Sequence, residues 1–216
     1  MAEVMRQEVA SMLKGIERYN PENLQKLERY IELQAKENTY DLEANLSVLR
    51  LYQFGPTYYR SDVVATILLK ALTNLPHTDF VLCKCLITQD RLEEPSIQRV
   101  VKLADMLETC KFKQFWEELA KSRDLVSPVT NFEDSVRQFI CHVVKITYQT
   151  IDSSILKEYL GLVADQALKT WIAKYNWKEQ EDGSIFVASQ EDMVKTKNIT
   201  EKVEFENVAG IMAHCI

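Results

Sequence analysis

A chain of 216 residues is long enough for one large domain or two small ones with a real core. Apolar residues make up 46%, which excludes wholesale disorder, and only 5 Gly and 5 Pro argue against an all-β protein and for helices joined by short loops. The formal net charge is -6, and from Thr150 onward there are seven Lys, no Arg and eleven acidic residues, a balance that argues against gripping nucleic-acid phosphates.

The opening MAEVMRQEVASML carries acidic residues and no uninterrupted apolar run, so no signal peptide is expected there. No stretch approaches the roughly 20 apolar residues that cross a bilayer. Cys83, Cys85, Cys110, Cys141 and Cys215 form an odd, irregular set, the pattern of reduced thiols in the cytosol. The glycosylation patterns at Asn45 and Asn198 carry no meaning without a secretory route.

Asn20-Pro21-Glu22 reads as a helix start: a cap, a proline at the first helical position, and a carboxylate at the positive end of the dipole. Leu24, Leu27, Ile31 and Gln34/Ala35 follow on one face. Asp41 is placed to cap a second helix with the stripe Leu42, Leu46, Leu49 and Gln53, which Phe54-Gly55-Pro56 stops. A third helix over residues 63–75 is apolar on most sides and is expected inside, between neighbours. Pro76 ends it. Thr78 or Asp79 then caps a helix reaching about Thr88, and Pro95 opens another with Ile97, Val100, Val101, Ala104 and Leu107 inward. A short helix over residues 111–121 carries Phe112, Phe115, Trp116 and Leu119. Each helix pair has too much apolar surface to stand alone, so the pairs must stack. No strict repeat period is present.

The texture changes near Ser127-Pro128. Asn131 is read as the cap of a long helix with Val136, Phe139, Ile140, Val143 and Thr147 on one side, and Tyr148 to Ile151 suit a short strand. Asp152 or Ser153 caps a helix holding Ile155, Leu156, Tyr159 and Leu160, which Gly161 ends. Another helix runs over residues 165–175, and Asp182-Gly183 between two extended segments signals a hairpin. Helix, strand, helix, helix, hairpin is the order of a winged-helix module. Beyond Gln190 the chain is polar until Phe205, Val208, Ala209 and Met212, spaced as one helical stripe.

Chemistry-bearing constellations are sparse. Cys83 and Cys85 lie two residues apart on a helix and diverge by about 200°, so both thiolates cannot reach one metal ion. Cys141 and His142 diverge by about 100°, too far for a nucleophile and its base. Phosphate loops, HExxH and GxSxG are absent from the sequence. Catalytic, metal and cofactor residues are therefore none, and no small-molecule substrate is expected. A winged helix often reads DNA through its second helix. Here Lys169, Lys174 and Lys178 face Asp165, Glu179, Glu181 and Asp182, which argues against direct nucleic-acid binding.

Three long stretches, YNPENLQKLERYIELQAKENTYDLEANLSVLRLYQF, LLKALTNLPHTDFVLCKCLI and FEDSVRQFICHVVKITYQTID, resemble the subunit K family of eukaryotic translation initiation factor 3. The resemblance spans nearly the whole chain and weakens over the first dozen residues, around Thr88 to Gln98, and after Val208. It implies a mainly α fold of PCI type (about residues 42–204): a HEAT-like helical repeat domain over residues 1–130, a winged-helix module over 131–190, and a tail over 191–216 with a short terminal helix. It also implies no enzymatic activity. The function it implies is that of a cytoplasmic scaffold, with a nuclear fraction left open, in the initiation factor 3 complex, which binds the small ribosomal subunit and supports initiation on messenger RNA. The chief partner implied is subunit L. The interface elements inferred from the module are Ile185 and Val187 in the hairpin and the stripe Phe205, Val208, Ala209 and Met212. That stripe packs either on partners or back on its own domain. Alternative readings are a subunit of a related assembly, the proteasome lid or signalosome, and a winged-helix nucleic-acid binder.

Overall fold

The computed structural model describes residues 2–189 together with Val208 and Met212. Helix α1 (Ala2–Met12) leads through two 3-10 turns, Gly15–Tyr19 and Pro21–Asn23, into α2 (Leu24–Glu37). The Asn20 side chain accepts the Glu22 N–H at 3.0 Å, so the expected start signal acts as a cap, on the 3-10 turn that leads into α2. The α2 face Leu24, Leu27, Ile31, Gln34 and Ala35 is buried as its spacing requires. Asn38 closes the helix in the left-handed region.

Asp41 caps α3 (Leu42–Phe54) through the Ala44 N–H at 3.2 Å. The inward face of α3 differs from the expected stripe: Ala44, Asn45, Ser47, Val48, Leu49, Leu51 and Tyr52 are buried, Leu42 and Leu46 are half-buried, and Gln53 is exposed. The reason is polar pairing across the helices. Gln34 donates to Asn45 at 3.2 Å and accepts the Asp41 N–H at 2.8 Å, while the Ser47 hydroxyl bonds the Glu43 carbonyl at 2.8 Å. The Asn45 side-chain oxygen and the Ser47 hydroxyl are paired in this way, while Asn45 Nδ2 is buried without a partner among the described residues.

Helix α4 (Ser61–Leu72) is the centre of the stack, packed against α2, α5 (Asp79–Cys85), α7 (Pro95–Glu108) and α10 (Phe132–Thr147). Nine of its twelve residues are buried, as an all-round apolar helix demands. It stops three residues before the expected end. α5 also ends early, at Cys85 rather than near Thr88, and Thr78 makes no side-chain cap. The four-residue α6 (Gln89–Leu92) was not expected. On α7, Leu103 is buried and Val101 only half-buried, a small rotation of the inner face. Helices α8 (Phe112–Lys121) and α9 (Arg123–Val126) complete the stack.

The linker before α10 is tied back to α2: Thr130 gives its N–H to the Ala35 carbonyl at 3.0 Å and its hydroxyl to that of Lys36 at 2.9 Å. These are acceptors that the end of α2 would otherwise leave unpaired. Asn131 is not the expected side-chain cap; it sits left-handed at φ 58° and makes no cap bond. α10 buries Val136, Ile140, Cys141 and Val144, whereas Phe139 and Val143 are half-buried and Thr147 is exposed. After it come β1 (Thr150–Asp152), α11 (Ser153–Tyr159), α12 (Asp165–Lys174), β2 (Lys178–Glu179) and β3 (Ser184–Phe186). The three strands form one antiparallel sheet in the order β1-β3-β2, with Ile151 opposite Ile185. Asp152 caps α11 through the Ser154 N–H at 2.7 Å.

Candidate protein interfaces

The sheet-bearing segment is fastened to the helical stack at the end of α11, and the fastening starts from α8. Phe112, Phe115 and Leu119 form the buried stripe of α8, and Trp116 sits beside it, half-buried, facing α11. The Trp116 indole donates to the Tyr159 carbonyl at 2.7 Å, and Arg137 of α10 donates to the Leu160 carbonyl at 3.1 Å. Both acceptors belong to the helix end, where the last carbonyls lack partners of their own. The guanidinium of Arg137 lies 4.9 Å from the Trp116 ring centre and also bonds Asp134 and Glu133 at 2.8 and 2.9 Å. Gly161 follows at φ +62°, and a Cβ there would lie 2.5 Å from the indole. Only glycine fits this turn, for both backbone and space. Lys113 and Glu158 pair at 2.6 Å across the same seam.

Two of the residues inferred as docking residues lie inside this arrangement. Ile185 is fully buried and Val187 is 8% exposed, packed in the core with Ile151, Trp177 and Leu168. In a strand alternate side chains face opposite sides: Ile185 and Val187 face the core, and Phe186 between them, half-buried, lies on the other face. What the hairpin presents outward is the edge of β2, with Lys178 and Glu179 both exposed. Of the terminal stripe, Val208 is half-buried and Met212 is 65% exposed, both in helical conformation. Phe205 and Ala209 lie outside the described residues.

A different apolar surface stands out. Ile16 (88% exposed), Tyr19, Phe54 (70%) and Tyr58 project from the 3-10 turn before α2 and from the end of α3. The Tyr19 and Phe54 rings meet edge to face at 5.9 Å, and the Tyr58 ring lies against Gly55. Sequence reasoning missed this cluster because Phe54 reads as part of a stop signal. The available clue is that Phe54 and Tyr58 belong to no inward stripe. An exposed aromatic cluster of this kind marks a protein contact more often than a bare surface.

The titratable groups do not converge. Cys83 is buried while Cys85 is exposed, and Cys141 is buried while His142 is exposed, as the helical angles dictate. Burial pushes both buried thiols up to about 12, which keeps them protonated and unreactive. Among the described residues no group of three or more His, Cys, Asp or Glu is placed to hold a metal ion. Beside α12, Lys157 pairs with Asp165 at 2.6 Å, and Lys169 lines a cleft together with Asp165 and Glu179. No helix among the described residues is long and apolar enough to cross a membrane.

A profile of the CSN8/PSMD8/EIF3K family matches residues 58–198. The chain belongs to that family. Relatives named "Eukaryotic translation initiation factor 3 subunit K" agree along almost the entire length. The one from Homo sapiens is 59% identical over 213 residues, 99% of this chain and 98% of its own. The one from Danio rerio is 57% identical over 211 residues, covering 98% and 96%. The one from Bombyx mori is 54% identical over 214 residues, covering 99% and 97%. The family profile begins just before α4 and takes in the Trp116–Gly161 fastening. Helices α1 to α3 and the aromatic cluster up to Phe54 precede it but fall within the length aligned to the subunit K relatives.

Proposed function

We propose that this family member is a non-catalytic scaffold subunit of the eukaryotic translation initiation factor 3 complex. The observation that carries the reading is identity of 59% over nearly the full length to relatives named as subunit K. In this reading residues 1–130 are a HEAT-like helical repeat, residues 131–190 a winged-helix module, and residues 191–216 a tail, together a PCI-type arrangement. The order α10, β1, α11, α12, β2, β3 and the sheet order β1-β3-β2 favour the winged helix. The stacking of α2, α4 and α7 favours the repeat.

The partners in this reading are the other subunits of the complex, chiefly subunit L, with the small ribosomal subunit reached through the complex in the cytoplasm. The surfaces suited to them are the outer edge of β2, the aromatic cluster around Phe54, and the stripe Phe205, Val208, Ala209 and Met212. An unpaired strand edge accepts another strand through backbone hydrogen bonds, so the hairpin contributes by its backbone while Ile185 and Val187 hold it in shape.

Mixing the purified chain with purified subunit L and measuring mass in solution tests the reading, and a stoichiometric heterodimer is expected. Two solitary species, or affinity capture from cells that returns only proteasome or signalosome subunits, would refute it.

A further inference from the structure

Among the described side chains of helices with ten or more residues, those of α1 are the least embedded. Over residues 5–12 only Val9 is buried, Met5 and Met12 are half-buried and the others are exposed, whereas nine of the twelve in α4 are buried. Helix α1 packs on α2, and toward the start of α3 it borders a gap of about 920 Å³ lined by Ala10, Leu13, Arg18, Asp41 and Glu43. Glu8 pairs with Lys26 of α2 at 3.2 Å, but both partners are more than half exposed, and such pairs contribute little. Leu13, just past the helix, is buried, and its carbonyl accepts two bonds from the Arg18 guanidinium at 3.0 and 2.7 Å. The same guanidinium reaches Glu43 of α3 at 3.2 Å, so Arg18 clasps the end of α1 to α3. Between Leu13 and Arg18, Gly15 turns left-handed at φ +60° with open space around it, and neither 3-10 turn of the connection buries a residue.

The cost of ordering eleven residues offsets most of what so little burial contributes, so α1 opens far more readily than a core helix. We propose that α1 is a detachable strap. It lifts as a unit about Gly15 while the rest of the stack stays folded, and the side of α2 it leaves takes an amphipathic helix from a partner protein. The chemistry of that helix is read from α1 itself: apolar residues four apart, as Met5, Val9 and Leu13 are, with a carboxylate placed like Glu8 to meet Lys26. Tyr30 lies one turn beyond Lys26 on that side of α2. It is buried, and its hydroxyl donates at 3.3 Å to Asp41, on the rim of the gap beside α1. Lifting α1 therefore bares an aromatic ring and an ammonium side by side. The proposal does not depend on which assembly the chain joins.

Hydrogen exchange of the full chain under native conditions tests the strap. Amides of residues 9–13 should exchange at least about a hundredfold faster than those in the middle of α4. Arg18→Ala, which removes the clasp, should speed the α1 amides several-fold and leave both the α4 amides and the melting temperature unchanged. The docking side is tested with the full chain carrying Val9→Asp, which undocks α1, and a synthetic peptide of residues 2–14 as the probe helix. The peptide should shift the Tyr30 ring resonances of this variant, and should bind the unsubstituted chain at least about tenfold more weakly, because α1 is then in its way. The first experiment needs no substitution, and Val9→Ser replaces Val9→Asp if the charge harms folding. Exchange of α1 and α4 amides at one common rate, or Arg18→Ala acting on both alike or on neither, would overturn the proposal. So would a peptide that leaves Tyr30 unmoved in the undocked variant or binds the unsubstituted chain equally well. Dimers of the unsubstituted chain that form as α1 opens would assign the vacated side to α1 of a second copy, and would overturn the partner helix as its occupant.

Discussion

Lys70 is a cation in the wrong place for stability, and replacing it should strengthen the fold. It lies in the last turn of α4, 1% exposed, and its ammonium has one hydrogen-bond partner among the described residues, Asn38 Oδ1 at a long 3.4 Å. Burial lowers its pKa from 10.5 to about 8. At about 1.4 kcal/mol per unit this difference sets an upper bound of ~3 kcal/mol on the cost of keeping Lys70 charged at pH 7, which residual hydration trims to ~2. The sign follows from proton binding. Between about 8 and 10.5 the unfolded chain holds a proton that the folded chain has released, so stability rises with pH across that window and is level outside it. Methionine matches the length of the stem and carries no charge. Removing the bond to Asn38 costs ~1 kcal/mol, so Lys70→Met should gain ~1–2 kcal/mol at pH 7 and lose that advantage above pH 10. Urea denaturation of both proteins at pH 7, 9 and 10.5 measures this directly. A Lys70→Met protein less stable at pH 7, or a difference that does not change with pH, would refute the reasoning.

Three other perturbations probe the seam, the sheet and the aromatic surface. Gly161→Ala puts a Cβ into the Trp116 indole from a left-handed backbone, and should cost ~2–3 kcal/mol by chemical denaturation. Ile185→Ala empties a fully buried site and should cost ~2–4 kcal/mol, a loss of stability visible in the isolated chain rather than a defect seen only with partners. Phe54→Asp should leave the melting temperature within ~1 °C and weaken association with subunit L in a direct binding assay, because Phe54 is 70% exposed.

The helices whose rules are local were legible from the residues alone. Asn20-Pro21-Glu22 and Asp41 act through hydrogen bonds to their own next residues, and α4 is apolar on so many sides that only an interior position suits it. The face of α3 was not legible, because Asn45 becomes a core residue only when Gln34 arrives from another helix to pair with it. Asn131 can cap by its side chain or turn left-handed, and packing rather than the local sequence chooses the second. The interfaces were less readable still. A strand that alternates apolar residues looks the same whether they face a partner or the chain's own core, and Ile185 and Val187 face the core. Conversely, Tyr19 lies 35 residues before Phe54 (54 − 19), and only folding brings the two rings together on one surface.

The Trp116 indole of α8 ends on a carbonyl at the close of α11, and Arg137, lying over that ring, ends on the next carbonyl, so the helical stack and the sheet-bearing part meet at a seam held by directional contacts. A neighbour that takes hold of the sheet therefore also aims α2 and α4, and one that seizes the stack aims the hairpin. In a multi-subunit particle such a member would transmit direction, letting each attachment narrow the angles open to the next.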